Sequence, residues 1–538
     1  MKLTLLGVDV AKTTFCSADW FSSLLLGASL IIISPSTAAP QTSAEVMSPV
    51  EEWIVAQLSV GEIADLTRQF PDEEKDKRKL SAHFLEDLLT GALPGFKPHR
   101  NGFRIVGAII DDPIDLTNAQ IPSEVRLEQC QFTSGATFTR ASFAGLASFD
   151  GSSFDGDVSF HHVKIGDSIF LRNTVFKGQV NFESADISDN FVAAWAAFQN
   201  KENPAEFTRL KVGGDANFDF AEFYTQVHFV SADIGDNFTA EEAKFYNAAR
   251  FDGIKAGRDV QFQKAEFDGG VNFESADITG NFGVPGAKFQ SKKEPALFAL
   301  MKVGGYAVFN DAVFYGSVDF RYAEFVWLDL SGASLPNVAS QFLMLGMSYK
   351  YISAARDEPE SHEVLLKLVN QCAYSADVFS RLEDFFLREG YSRHADQAFI
   401  AGKLRVRERY SPSGRSVGEY FLSGDWLRWL GSTTLYLLVG YGRRPWQAVT
   451  PCAVLIALGC ILFSPNKMEP RNPEETPRVY NRFWYSFGLF LPFVDLQADK
   501  LWKPKADQTF LRNYMQVHVL LGWVLIPIVL ATLTGLIK

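Results

Sequence analysis

Cysteine is scarce here and poorly spaced for chemistry. The 538 residues hold five, Cys16, Cys130, Cys372, Cys452 and Cys460, with no C-x-x-C pair and no Cys/His zinc spacing. Neither a disulfide framework nor a metal site is expected. A basic stripe is also lacking: residues 103–335 carry roughly 32 acidic against 19 basic side chains, which excludes a nucleic-acid groove there. The excess negative charge reads as a solvated surface that keeps the region soluble. No Gly-Lys-Ser/Thr phosphate loop, no G-x-S-x-G elbow and no H-E-x-x-H helix is present. Gly213-Gly214 and Gly304-Gly305 lack that phosphate-loop context and read as corner glycines. His161-His162 is the one histidine pair, too few ligands for a metal without help from elsewhere. No catalytic, cofactor-binding or metal residue is assigned, no small-molecule substrate is evident, and the chain is expected not to be an enzyme.

What is abundant is phenylalanine, 47 residues in all. From about residue 132 to 325 it returns every five or six positions: Phe138, Phe143, Phe149, Phe154, Phe160, Ile165, Phe170, Phe176, Phe182, Ile187, and later Phe309, Phe314, Phe320, Phe325. Two positions before most anchors sits a slim residue such as Ala141, Ala147, Ser152, Ala185, Ala276 or Ala323. Neither helical nor strand periodicity has this spacing. A solenoid does, each step forming one side of a squarish coil with anchor and slim partner pointing inward.

A longer period overlies the short one. Phe182-Glu183-Ser184-Ala185-Asp186-Ile187 returns as Phe229-Val230-Ser231-Ala232-Asp233-Ile234 and as Phe273-Glu274-Ser275-Ala276-Asp277-Ile278, a unit of roughly 45 residues, or about two coils. Asp186, Asp233 and Asp277 occupy equivalent outward positions and are expected to form an acidic ladder inherited with the repeat. The A-x-F/A-x-I pattern at five-residue spacing resembles the pentapeptide-repeat proteins, over about residues 103–335. The resemblance implies a mainly β fold, a right-handed quadrilateral β-helix. The chain departs from the family in preferring Phe to Leu and in stepping often by six.

Apolar segments flank the repeats. Residues 446–463 and 516–537 read as two membrane spans, with Arg443-Arg444 and Trp446 marking an interface. The run 440–446 resembles the junction of membrane-tethered pentapeptide-repeat proteins. Between the spans, 483–496 is apolar but too short to cross, and suits an interfacial or re-entrant dip. Residues 20–33 are apolar and precede Ser34-Pro35-Ser36-Thr37-Ala38-Ala39, which resembles a signal-peptide cleavage region; the rival reading starts translation at Met47. Ser48, Pro49 and Glu51 then open a helix predicted over 50–66. A second helix is predicted over 80–89, ended by Gly91. After residue 335 the rhythm stops. A helix capped at Ser361-His362-Glu363 and a hairpin turning at Gly390 are predicted, with a basic last turn at Lys403, Arg405, Arg407 and Arg409.

The expected organisation is a signal peptide or mis-assigned leader (1–46), a helical cap (47–100), the solenoid (101–335), a helical hairpin region (336–418), an interfacial segment (419–445), a first span (446–464), an inter-span loop (465–515) and a second span (516–538). The functional expectation is a bacterial, multi-pass, membrane-anchored scaffold that binds an unknown protein partner along the rod. Lipid is engaged through the two helices, and the rod lies on the extracytoplasmic side. The alternative is a channel-like protein, although Leu491-Pro492-Phe493-Val494-Asp495 stands where a Thr-Val-Gly-Tyr-Gly filter would be expected. Mimicry of DNA, as in soluble members of the resembled family, would need a cytosolic rod.

Overall fold

The computed structural model describes residues 47–534, apart from 357, 414–415, 473–478, 492 and 494–497. The leader 1–46, with its cleavage region, lies outside the described residues.

The repeats form a β-solenoid of about eleven turns, with two-residue strands stacked in parallel on four faces. One turn takes 22 residues: Ser142 registers with Lys164, and Lys164 with Asp186. Two turns are longer by three, pairing Asp186 with Lys211 and Asp277 with Lys302. The first face runs from Ile114–Asp115 through Ala136–Thr137 to Phe342–Leu343. The second includes Ser142–Phe143 and Lys164–Ile165, the third Ala147–Ser148 and Ile169–Phe170, the fourth Ser153–Phe154 and Val175–Phe176.

The mixture of five- and six-residue steps is regular. Anchors at 138, 143, 149, 154 and 160 give steps of five, six, five and six, which close one turn. Five-residue corners are tight and place one residue in the left-handed region: Asn118, Arg140, His162, Ser184 and Arg209 between the first and second faces, Gln129, Asn173, Trp195 and Phe220 between the third and fourth. The extra residue in the six-residue corners removes that need.

Inside, the anchors stack by column. Phe132, Phe154, Phe176, Phe198, Phe223, Phe245, Phe267, Phe289 and Phe314 form one continuous ladder, with centroids 4.4–5.3 Å apart and planes within 12°. Phe138, Phe160, Phe182, Phe207, Phe229, Phe251, Phe273, Phe298 and Phe320 form a second. A third column is aliphatic over most turns, with Ile165, Ile187, Val212, Ile234 and Ile278 buried. The fourth alternates. Its two inward positions per turn read Phe191/Ala193, then Ala216/Phe218, then Phe238/Ala240, then Val260/Phe262, then Phe282/Val284. Placing the ring on opposite positions in successive turns lets it meet the second ladder edge-on, as Phe191 does with Phe182 and Phe238 with Phe229. This alternation is one physical origin of the two-turn sequence period.

At the N-terminal end Ser48 and Glu51 form the expected capping box on helix Pro49–Ser59. That helix stops seven residues before the predicted end, because Gly61 turns the chain at positive φ into Ala64–Asp65, which pairs with the first full coil. Helix Ala82–Thr90 ends at left-handed Gly91 as expected. Ile54, Leu58, Leu85 and Leu88 close over the coil end beside Phe103.

At the other end the solenoid continues past 335. Phe342–Leu343 and Ser348–Ser353 add a further turn, in which Met344, Met347 and Ile352 take the inward positions. The helix predicted to start at Ser361 spans Glu358–Gln371; Ser361 Oγ accepts from the Ala354 amide instead of capping. Helices Ala376–Arg388 and Ser392–Glu408 form the hairpin around Gly390. Helices Val417–Leu422 and Asp425–Val439 follow. Of the two expected spans, one has the length: Thr509–Ala531 has 23 residues and mean hydropathy 1.9. The other is a shorter apolar helix, Trp446–Leu462, so the expectation of two full spans is corrected to one helix long and apolar enough among the described residues. A proline-led 3₁₀ turn at its start and the break at Phe463 shorten it.

Candidate functional site

The interior is filled by rings, so whatever the solenoid does it does with its outer faces and its C-terminal end. Each two-residue strand sends one side chain in and one out. On the second face the outward positions, in stacking order, are Gln120, Ser142, Lys164, Asp186, Lys211, Asp233, Lys255, Asp277, Lys302, Glu324 and Ser348. The acidic ladder expected from Asp186, Asp233 and Asp277 is therefore corrected. These carboxylates lie two turns apart with a lysine between each pair, because a turn takes 22 residues while the recognisable repeat takes two turns. Alternation avoids like charges on strands about 4.8 Å apart, where they would repel. Beside this column runs a slim one, Gly166, Ser188, Gly213, Gly235, Gly257, Thr279 and Gly304. A Cβ on Gly235 would lie 2.1 Å from the Gly213 carbonyl oxygen, and one on Gly257 1.9 Å from that of Gly235. The corner role expected for Gly213-Gly214 and Gly304-Gly305 is what the fold requires.

The fourth face carries a second alternating ladder, Glu222, Lys244, Glu266 and Lys288, and here the charges close on each other: Lys244–Glu222 at 3.3 Å and Lys288–Glu266 at 2.7 Å. The glutamate beside each lysine ammonium raises the Lys244 and Lys288 pKa values. Next to it Tyr224 stacks on Tyr246 at 4.7 Å, and Tyr224 Oη donates to Glu222, which pushes the phenol up to about 12. At the corner between second and third faces Asn190, Asp215, Asn237, Asp259 and Asn281 alternate in the same way. Each side-chain oxygen accepts a backbone N–H from the following turn, at 2.8–3.2 Å.

Among the described residues no group of three or more His, Cys, Asp and Glu is placed to hold a metal. His161 and His162 lie 4.2 Å apart between ring centroids and both project outward, His162 at a left-handed corner; a Glu183 carboxylate oxygen lies 4.0 Å from His161. Cys130 is buried, which pushes its thiol up to about 12, and Cys372 rises to about 11 for the same reason.

The basic run that ends the hairpin is consumed internally. Arg405 donates to the Cys372 carbonyl at 3.1 Å, Arg409 lies over Tyr374 and Arg407 over Tyr436. Arg443, read from sequence as an interface marker, instead binds Glu383 and Asp396 of the two hairpin helices and covers Phe399 at 4.5 Å. Desolvation outweighs the neighbouring guanidinium and raises the Glu383 pKa. This cluster ties the hairpin to the junction at Gly440–Gly442.

Beyond the junction, the apolar segment between the expected spans forms helix Arg482–Phe490, packed between Val449–Leu462 and Thr509–Leu533. Contact is close at glycines: a Cβ on Gly459 would meet Ser486 Oγ at 2.1 Å, and one on Gly522 the Phe490 carbonyl oxygen at 1.9 Å. Ser486 Oγ donates to the Ile456 carbonyl at 2.8 Å and lies 3.2 Å from His518 Nε2. The outer surface of this assembly is apolar, with Val454, Ile461, Val517, Leu520, Trp523 and Val524 exposed.

The charge alternation was not foreseen from sequence. Its signal was present: Lys211 opens a Lys-Val-Gly-Gly copy between the Asp186 and Asp233 copies, and Lys302 opens another after Asp277.

No match is found among curated proteins or among solved structures. Residues 116–164 match the family model described as pentapeptide repeats, in nine copies. The turns beyond 164 continue in the same sheets at the same register, so matched and unmatched coils are one solenoid. The chain thus carries pentapeptide repeats, matched over residues 116–164, within one continuous β-solenoid.

Proposed function

We propose that the chain is a non-catalytic, membrane-anchored scaffold, whose rigid solenoid presents repeating faces to a protein partner. The observation that carries this reading is the joining of two unlike surfaces in one chain. The solenoid exposes charged and small residues at a fixed rise. The C-terminal assembly exposes Val517, Leu520, Trp523 and Val524 on a 23-residue apolar helix. The coil is inferred to wind right-handed, as the resemblance implies. The rod is placed on the extracytoplasmic side of a bacterial membrane, an inference that rests on the apolar leader at 20–33. Two measurements test the reading. The full chain should stay with the membrane pellet through alkaline carbonate and leave it when Leu520 and Val524 are both changed to Asp; release of the unaltered chain refutes the anchor. Protease added to intact cells, after the outer envelope is opened, should cut the rod; protection until the inner membrane is lysed refutes the sidedness.

A second reading has one specific observation in its favour. A short helix packed between two apolar helices is the plan of a pore with a re-entrant segment, and Arg482–Phe490 has that placement. Ion flux in liposomes carrying the full chain, above that of empty vesicles, would support it; flux equal to empty vesicles removes it.

A further inference from the structure

The charged ladder of the second face has an even number of rungs. Lys164, Asp186, Lys211, Asp233, Lys255, Asp277, Lys302 and Glu324 are eight alternating charges, bounded by uncharged Ser142 below and Ser348 above. An even alternating row is complementary to itself when one copy is reversed. Under a two-fold axis between Asp233 and Lys255, Lys164 faces Glu324, Asp186 faces Lys302, Lys211 faces Asp277 and Asp233 faces Lys255. Every pair is opposite in sign. Two copies side by side in the same direction and register would instead oppose lysine to lysine and carboxylate to carboxylate.

A second observation separates this face from the rest of the rod. On the fourth face the equivalent charges are closed into ion pairs within the chain at 2.7 and 3.3 Å. On the second face none of the eight makes a side-chain ion pair within 4.0 Å or a side-chain hydrogen bond among the described residues, and seven of the eight are exposed. Up to Lys302 their flank is the slim Gly/Ser/Thr column, which puts no large side chain beside the ladder and lets another face approach; Val326 flanks the last rung.

We infer that the second face is a self-association surface, and that its partner is a second copy of this chain packed antiparallel through the eight-rung ladder. Such a contact is isologous and closes on itself as a dimer. Eight rungs at about 4.8 Å make a strip roughly 35–40 Å long, which across one side of the coil is small beside the roughly 800 Å² per partner of a standard interface. The dimer is therefore weak, formed at high local density and sensitive to salt. This inference deepens the scaffold reading by naming one partner, but it does not rest on the membrane anchor.

The test is zero-length crosslinking of the full chain in detergent with a water-soluble carbodiimide, followed by peptide mass spectrometry. Expected are Lys211–Asp277, Asp186–Lys302 and Lys164–Glu324 crosslinks. These pairs lie three to seven turns apart in one chain, too far for a bond without a second copy. They should fade at 0.5 M salt. Lys211→Glu with Lys255→Glu, or Asp233→Lys with Asp277→Lys, should each abolish them, and mixing the two variants should restore crosslinks between unlike copies. Rescue on mixing shows that both variants fold. Crosslinks confined to adjacent rungs, or unchanged by the charge reversals, overturn the inference. A chain that alkaline carbonate releases yet that still crosslinks loses its anchor and keeps its dimer, so the two readings fail separately.

Discussion

Phe229 is the position at which the stacking account is most exposed to refutation. Its ring is fully buried, lies 4.6 Å from Phe207 and 5.3 Å from Phe251 in near-parallel stacks, and meets Phe218 and Phe238 edge-on at 5.0 and 5.2 Å. Phe229→Ala removes the ring from all four and leaves a cavity that stacked backbone on every side keeps from collapsing; the loss is about 3–5 kcal/mol. Phe229→Leu keeps much of the volume and forfeits mainly the ring–ring part, about 0.5–1.5 kcal/mol beyond burial per pair before relaxation, so it should cost clearly less than Ala. A solenoid couples each turn mainly to its neighbours. The damage should therefore stay local. Native-state hydrogen exchange on the full chain reads this directly. Amides that bridge the adjacent turns, Phe207 N–H to the His228 carbonyl and Phe229 N–H to the Arg250 carbonyl, should exchange roughly a hundred- to several-thousand-fold faster in Phe229→Ala, at about 1.4 kcal/mol per tenfold. Those of Phe143 and Ile165, three to four turns away, should hardly change. Equal effects of Ala and Leu, or an acceleration spread evenly over every turn, would refute the column model.

Gly257→Ala places a methyl 1.9 Å from the Gly235 carbonyl oxygen and should cost about 1–3 kcal/mol by overpacking, whereas Gly91→Ala, with open space around it, bears only the left-handed penalty of about 1 kcal/mol; paired thermal melts compare them. Arg443→Met leaves Glu383 and Asp396 without their guanidinium and should loosen the hairpin by about 2 kcal/mol, less than a fully buried pair because all three groups keep some solvent; Glu383→Gln in the same chain should recover part of it, as read by proteolysis of residues 376–408. The Cys130 thiol is held protonated up to about 12 in the folded chain against 9.0 unfolded, so folding stability should fall as pH rises from 9 towards 12. The stability of the wild-type chain relative to Cys130→Ala in urea melts should fall as pH rises over that window and stay flat below it; a pH-independent difference refutes the burial argument.

The phenylalanine spacing was enough to specify a coil with its anchors inside, because every side of a solenoid turn meets the same environment and the residues filling it recur along the chain. The capping box at Ser48 and Glu51 and the stop at Gly91 were legible for a similar reason: each is a local hydrogen-bond or dihedral requirement met within a few residues. What stacked on what was not legible. Two turns take three extra residues, and the visible repeat spans two turns, so Asp186 and Asp233 look adjacent in sequence while Lys211 lies between them in space. Arg443 shows the same limit from another side, since its basic character suggested a membrane boundary and only folding brought it to Glu383, sixty positions away. The apolar run at 446–462 has the composition of a span, yet its length as a helix depends on the turn at Pro445 and the break at Phe463. Pattern decides which side chains leave water; the number of residues per turn, and the long-range pairing it imposes, decides which of them meet.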